Sequence, residues 1–269
     1  MNKYYQANLA MWDEMVAINA RSDLYQLAEF CAGVNKLDWL VRREVGEVAA
    51  KSLLHLQCHF GMDTLSWAML GAQVTGVDFS PKAIRTARRL SSELGIPARF
   101  IQTDVYDLPN KLDGQFDIVF TSYGAICWLH DLHAWANLIT RFLKPGGVFF
   151  IAELHPFAAV FESEKSGEKL EMAYDYFARG AQKFTAESSY ADAESRLVNQ
   201  TEYEWQHPLS EIVNCIIEAG LRIEFLHEHD FCCYPMFTGM TQREDGMWVL
   251  PNGVNKLPLM FSIRAEKPV

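Results

Sequence analysis

The chain has 269 residues, 49% hydrophobic and 22% charged, and 34 acidic against 24 basic side chains give a formal net charge of −10. That balance excludes a disordered chain and argues against a nucleic-acid binder that works by broad phosphate neutralisation. The length suits one large core-forming domain, or a core domain with an elaboration, and no apolar run approaches the roughly 20 residues of a membrane helix.

Residues 1–50 read mostly as helix, with Trp12, Met15, Val16 and Asn19 at helical spacing. The opening MNKYYQANLAMWDEM has neither the apolar core nor the small-residue cleavage site of a signal peptide. From 51 to 155, short apolar runs alternate with helical patterns. Strands are expected at Leu53–Gln57, Gln73–Asp78, Arg99–Thr103, Phe116–Ser122 and Val148–Glu153. Helices are expected at Met62–Leu70, at Pro81 to about Leu94 with Ser80 as N-cap, and at about His133–Leu143 before the stop signal Lys144-Pro145-Gly146-Gly147. Strands separated by helices imply right-handed crossovers and a parallel sheet with helices on both faces.

After Glu153 the rhythm breaks. Residues 156–206 carry clustered charges and many aromatics, and read as an insertion with strand character near 195–205. A helix at Leu209–Ala219 and strands at Arg222–His229 and Leu259–Ala265 then close the pattern, with a long loop expected at 230–258. Six scattered cysteines, at 31, 58, 127, 215, 232 and 233, read as reduced thiols of a cytoplasmic protein.

The most informative stretch is Leu54-His55-Leu56-Gln57-Cys58-His59-Phe60-Gly61, followed by Met62-Asp63-Thr64, where a first strand turns into a helix. Such a turn presents backbone N–H groups and the positive end of a helix. Asp78 ends the second strand, 21 residues after Gln57, where a carboxylate can accept two ribose hydroxyls. Asp104 follows the third strand, positioned to reach a purine amino group. All lie at the carboxyl ends of parallel strands, where ligands bind in open sheets.

This pattern resembles the class I S-adenosylmethionine-dependent methyltransferases. The matching pieces are the strand–turn–helix at 53–70, GVDFSPKAI at 76–84, TDVYDLP at 103–109, FDIVFTSYG at 116–124 and LKPGG at 143–147. The resemblance implies a Rossmann-like, seven-stranded, mostly parallel α/β sheet whose last strand is antiparallel, and S-adenosyl-L-methionine as cofactor. It implies that the first turn (Gln57, Cys58, His59, Gly61, with Asp63 and Thr64) contacts the methionine part. It further implies that Asp78, with Phe79 and Ser80, holds the ribose, that Asp104 holds the adenine amino group with Val105 packing nearby, and that Ser122 to Gly124, including Tyr123, line the cleft near the reacting methyl.

The turn departs from the family. His55 stands where an acid is usual, and Gln57 and His59 replace two glycines, leaving Gly61. A non-glycine residue at positive φ costs on the order of 1 kcal/mol. We therefore expect a differently shaped loop in which Gln57 and the Asp63/Thr64 pair bind the amino-acid end, with weakened cofactor binding as the other outcome. HLQCHFGMDT also resembles a variant turn in a subgroup of bacterial methyltransferase-like proteins. A dehydrogenase is the fold-level competitor, but its G-x-G-x-x-G fingerprint is absent.

Methyl transfer needs the nucleophile close, aligned and dry, and a base where the nucleophile carries a proton. His155, just outside the carboxyl end of the fifth strand, is the candidate base, with capping of the turn before Pro156 as its structural alternative. His130 is a second candidate, and His207 reads as a cap. Tyr123, Trp128 and Phe157 are expected near the cleft mouth, where aromatic faces favour a sulfonium. Tyr4, Tyr5 and Trp12 mark the N-terminal helix as a lid or as packing against the sheet. His227 and His229 with adjacent Cys232 and Cys233 lack zinc-site spacing, so no metal is expected. Arg85, Arg88 and Arg89 read as a solvated helix face.

Residues 1–269 thus read as one domain: a helical lid (1–50), a cofactor-binding core (51–155), a cap insertion (156–206) and a closing helix and strands (207–269). The expected activity is methylation of a small-molecule acceptor, cationic or neutral, by a monomer or homodimer without membrane or nucleic-acid partners. A non-catalytic S-adenosylmethionine- or S-adenosylhomocysteine-binding protein and an RNA or protein methyltransferase are the alternatives.

Overall fold

The computed structural model describes residues 3–162, 170–251 and 256–269. The expected loop and cap segments at 163–169 and 252–255 lie outside the described residues. In chain order the elements are helices α1 (Lys3–Asn19), α2 (Leu27–Cys31) and α3 (Trp39–Val45), then β1 (Ser52–Leu56), α4 (Met62–Met69), β2 (Gln73–Asp78), α5 (Pro81–Leu94), β3 (Arg99–Gln102), β4 (Phe116–Ser122), α6 (Leu132–Phe142) and β5 (Leu143–Leu154). They continue with β6 (Ala181–Thr185), β7 (Thr201–Trp205), α7 (Leu209–Glu218), β8 (Arg222–His229), β9 (Phe231–Cys232), β10 (Thr241–Gln242), β11 (Trp248–Val249) and β12 (Met260–Glu266).

Seven strands form the central sheet in the order β3-β2-β1-β4-β5-β12-β8. β1 to β5 are parallel, and β12 runs antiparallel to both neighbours. The strands read as continuous apolar runs because helices cover both faces. Leu54, Val119 and Phe149 pack with Trp135, Ile139 and Phe142 of α6 and Ile212 and Ile216 of α7. Their neighbours Leu53, Phe120 and Phe150 point the other way, to Trp67, Val41 and Val45. Each such fully buried side chain contributes about 1.5–3 kcal/mol relative to exposure.

Local chemistry sets the helix starts. Ser80 caps α5, its hydroxyl accepting from the Ala83 N–H at 3.0 Å, with Pro81 behind it. Asp131 caps α6, and Asp38 caps α3 through the N–H groups of Leu40 and Val41. The stop signal at 144–147 lies inside a strand rather than before one. β5 begins at Leu143, opposite Phe116, and its register shifts at the end of that pair.

Two segments expected to be irregular are ordered. The insertion holds an antiparallel hairpin, β6 with β7, and the expected strand character near 195–205 is confined to 201–205. The stretch after β8 holds a small sheet of β9, β10 and β11 around Phe231, Phe237, Met240 and Met247. α1 closes the hairpin's edge: the Asn8 amide donates to the Tyr203 carbonyl and accepts from its N–H, both at 2.8 Å. One side chain thereby does for β7 what a neighbouring strand would do.

Candidate functional site

A cavity of about 2170 Å³ opens at the carboxyl ends of the parallel strands and runs under α1 and the hairpin. One ligand site commonly measures about 300–1,000 Å³, so this space has room for two. One half is built by the turn after β1, the ends of β2 and β3, and α1.

That turn keeps the backbone glycine would supply. Gln57 has φ 56°, His59 φ 50° and Gly61 φ 84°. The expectation of a differently shaped loop is therefore corrected: the left-handed conformation stays and the side chains are accommodated. The cost, on the order of 1 kcal/mol per non-glycine residue, is offset by specific contacts. Gln57 Nε2 donates to the Ala125 carbonyl at 2.8 Å, and Asn19 Nδ2 lies 3.2 Å from His59 Nε2. The His59 ring packs on Phe60, Tyr25 and Trp12 at 4.6, 5.9 and 5.4 Å between centroids. Gly61 is required on packing grounds, since a Cβ there would sit 2.8 Å from Ala87 and Phe100.

Asp78 is buried at the end of β2, and its two oxygens accept from the His59 and Ser80 N–H groups, both at 2.8 Å. Burial pushes its pKa up to about 6 despite those bonds. Phe79, Asp104 and Val105 line the same half, and Asp104 accepts from the Tyr106 N–H at 2.8 Å. Asp63 also lines the cavity, 3.2 Å from the Ser122 hydroxyl, and burial with nearby Asp38 lifts it to about 6. Tyr123 donates to Asp38. Burial holds His55 and His59 neutral, each near 3.

Three buried atoms of cavity-lining residues have no hydrogen-bond partner among the described residues: Gln57 Oε1, His55 Nε2 and His207 Nδ1, the last 3.7 Å from a Glu211 oxygen. The first is a free acceptor facing a space with acids around it, so the donor set suits a ligand carrying an ammonium group and a hydroxylated sugar.

Several expected site residues lie elsewhere. Thr64 is fully buried and bonded to His55 Nδ1 at 2.9 Å, off the cavity, so it supports the turn from behind. Ser80 serves as a helix cap and meets Asp78 only through its backbone. His155 does not line the cavity. Its Nδ1 accepts from the Phe157 N–H at 3.1 Å and its Nε2 lies 2.9 Å from Glu228, which leaves no ring nitrogen for a substrate proton. The candidate base is corrected to a turn-capping residue. Phe157 packs on Phe161 and Tyr176 instead of the cleft mouth, where Tyr123 and Trp128 do stand. His207 is not the cap of α7, since its Nε2 lies 2.7 Å from the Leu129 carbonyl. His130 reaches the cavity between Tyr106 and Trp205.

Sequence reasoning missed the residue that shapes the other half. The buried Glu153 carboxylate accepts from the N–H groups of Gly124, Ala125, Ile126 and Leu154 at 2.5–3.0 Å. It thereby fixes the loop that carries Cys127 and Trp128. An acid inside the apolar run Ile151-Ala152-Glu153-Leu154 was the available signal.

A model described as a methyltransferase domain matches residues 54–151. The chain is 32% identical over 120 residues to the ubiquinone biosynthesis O-methyltransferase of Chromobacterium violaceum, covering 45% of this chain and 50% of that one. It is 34% identical over 115 residues to the protein of the same name from Xanthomonas euvesicatoria, covering 43% and 48%. It thus spans about half the length of the curated relatives it matches. Over most of its length it superposes on a putative S-adenosylmethionine dependent methyltransferase from Listeria monocytogenes (TM-score 0.58, 17% identity, covering 86% of this chain and 97% of that one). It superposes equally on an S-adenosylmethionine dependent methyltransferase from Mesorhizobium loti (0.59, 20%, 88% and 99%). The fold is that of a class I methyltransferase. Within this fold, β1, β2 and the turn between β1 and α4 fall in the matched segment, whereas β6 to β11 fall outside it.

Proposed function

We propose that the protein transfers a methyl group from S-adenosylmethionine to a small-molecule acceptor. The observation that carries this reading is the convergence of Asp78, Asp104 and the left-handed Gln57–Gly61 turn on one half of a cavity large enough for two ligands. The bound cofactor would supply an electrophilic methyl on a sulfonium. Asp78 would accept the ribose hydroxyls while its carboxylate is held in place by the His59 and Ser80 amides. Asp104 would accept from the adenine amino group. Gln57 Oε1 and Asp63 would take the ammonium of the amino-acid end. Tyr5, on the edge of the Phe79 ring at 5.5 Å, and Trp12 would exclude water from above.

The acceptor would sit in the other half, between the Glu153-held loop and the cap, aligned by walls rather than pulled by a dedicated histidine. Proximity and exclusion of water supply much of a displacement of this kind. The small-molecule reading is supported by the enclosure of that half and by the acidic balance of the chain. We place the protein in the cytoplasm, a reading supported by six free cysteines. No helix among the described residues is long and apolar enough to cross a membrane.

Calorimetry with S-adenosylhomocysteine tests the reading. Saturable one-site binding, lost in Asp78→Ala, is expected. Absence of binding by the wild type would overturn the assignment. Binding without transfer to any acceptor in a broad metabolite screen would make the protein a non-catalytic binder.

A further inference from the structure

The acceptor half contains an acidic pair with no cation of its own. β7 alternates, so Glu202 and Glu204 share one face while Tyr203 between them turns to Tyr4, 4.7 Å away between ring centroids. Both carboxylates line the cavity. Neither has a hydrogen bond or ion pair among the described residues. Glu204 is half-buried in the cavity wall.

Nearby groups do not neutralise the pair. Glu153 is a further acid, and its oxygens are spent on backbone amides. The neighbouring Cys127 and Tyr234 are held protonated, the thiol by burial and the charges of Glu204, Glu153 and Glu202, and the phenol by burial with nearby thiols and Glu204. The cavity's lysines and its arginine are engaged elsewhere or face away, and His130 packs between Tyr106 and Trp205. Lys36 pairs with Glu29, Lys111 with Asp107 and Arg179 with Glu211. Lys183 lies opposite Tyr203 in the hairpin, on the other face from the acids. A buried carboxyl carries its charge only at a cost unless it is paired, and a cation entering the cavity would supply that partner.

We propose that Glu202 and Glu204 form the subsite that docks a cationic nitrogen of the methyl acceptor, an amine carried on a compact aromatic or aliphatic skeleton. The inference rests on the methyltransferase reading and names the substrate class for its second site. Burial and mutual repulsion push Glu204 up to about 8, and burial pushes Glu202 up to about 7. A docked ammonium would reverse that rise and hold both acids charged. Trp128 and Tyr234 provide flat walls, and the Trp128 Nε1 is already bonded to the Gly124 carbonyl at 2.6 Å, which fixes its ring.

Matched probes test this. Phenethylamine, 2-phenylethanol and phenylacetate, and tryptamine, tryptophol and indole-3-acetate, are titrated by calorimetry into the protein with and without S-adenosylhomocysteine. Each amine is expected to bind at least tenfold more tightly than its alcohol, and the acids not at all. In the E202Q/E204Q variant the amine should fall to the level of the alcohol. Affinity for S-adenosylhomocysteine should stay within twofold, which shows that the variant is folded. The proposal is overturned if neither amine binds better than its alcohol, or if the preference survives in E202Q/E204Q. Loss of S-adenosylhomocysteine binding in the wild type would overturn the methyltransferase reading instead, and the amine–alcohol difference is read independently in the same titrations.

Discussion

The two halves of the cavity, one proposed for the cofactor and one for the acceptor, are built by different means. The cofactor half is made from strand ends and one turn, all within residues 55–107, and α1 roofs it. Asp78 and Asp104 are held by backbone amides, two positions on in the chain or in the turn after the neighbouring strand. The acceptor half is made from the loop after β4, the end of β5, β7 and the segment from Cys233 to Met247, pieces separated by up to about 120 positions. The first half is a local device repeated across a fold, and the second is assembled by tertiary packing alone. Binding a common ligand therefore depends on few residues, and choosing an acceptor depends on many.

The sharpest way to break this division is at Asp78. Asp78→Ala removes the acceptor of two charge-assisted bonds and of the ribose, and should weaken S-adenosylhomocysteine by about 100-fold in calorimetry. A change below tenfold would mean that the cofactor half is elsewhere. The next largest effect is expected in the acceptor half. Glu153→Gln leaves buried N–H groups of the 124–126 loop without a full set of acceptors and should cost about 2 kcal/mol in chemical denaturation, with cofactor-product affinity little changed.

A pH series sharpens the comparison further. Asp78 and Asp63 are raised to about 6, well above their unfolded carboxylate values. The native state therefore holds more protons than the unfolded state between about pH 4 and 6, and these two groups make the ligand-free protein less stable as pH rises through that window. The ligand needs the charged forms, so its affinity should rise through pH 6 and then level off, with a loss of about tenfold at pH 5 for one coupled proton. A flat profile from pH 5 to 7 would show that neither acid binds in the charged form. The smallest effect is expected at His155. His155→Ala should lower Tm by about 3 °C and leave S-adenosylhomocysteine affinity within twofold, whereas a tenfold loss would return it to the site.

The placement of Asp78 and Asp104 on the cavity wall was legible because its logic is local. Asp78 and Asp104 follow apolar strands at fixed spacing, and Ser80-Pro81 announces the helix beyond. Thr64 and Ser80 misled because sequence gives the turn but not which side chain faces the cavity and which supports it from behind. Gln57 and His59 suggested a reshaped loop, and the backbone instead kept its left-handed path because Asn19, Tyr25 and Ala125 hold those side chains. Glu153, Glu202 and Glu204 were invisible as a group, since only the docking of β7 against the loop after β4 brings them to one chamber. His155 was read by its place at a strand end, and its partner Glu228, 73 positions later, decides its role.

The first helix has a consequence for how the chain assembles. α1 bonds to Tyr203 through Asn8, to Val198 and Asn199 through Glu14, and to Ser189 and Tyr190 through Asn19. The Asn8–Tyr203 separation is 195, whereas Asp13 meets Ser80 and Lys82 and Asn19 meets His59 much nearer in the chain. The element synthesised first is thus completed by a late segment, Met11 and Met15 clustering with Leu197 between the two strands of the hairpin. Contacts of such separation slow folding, so the docking of the hairpin on α1 should appear in a slow refolding phase, and the roof of the cavity is completed with it.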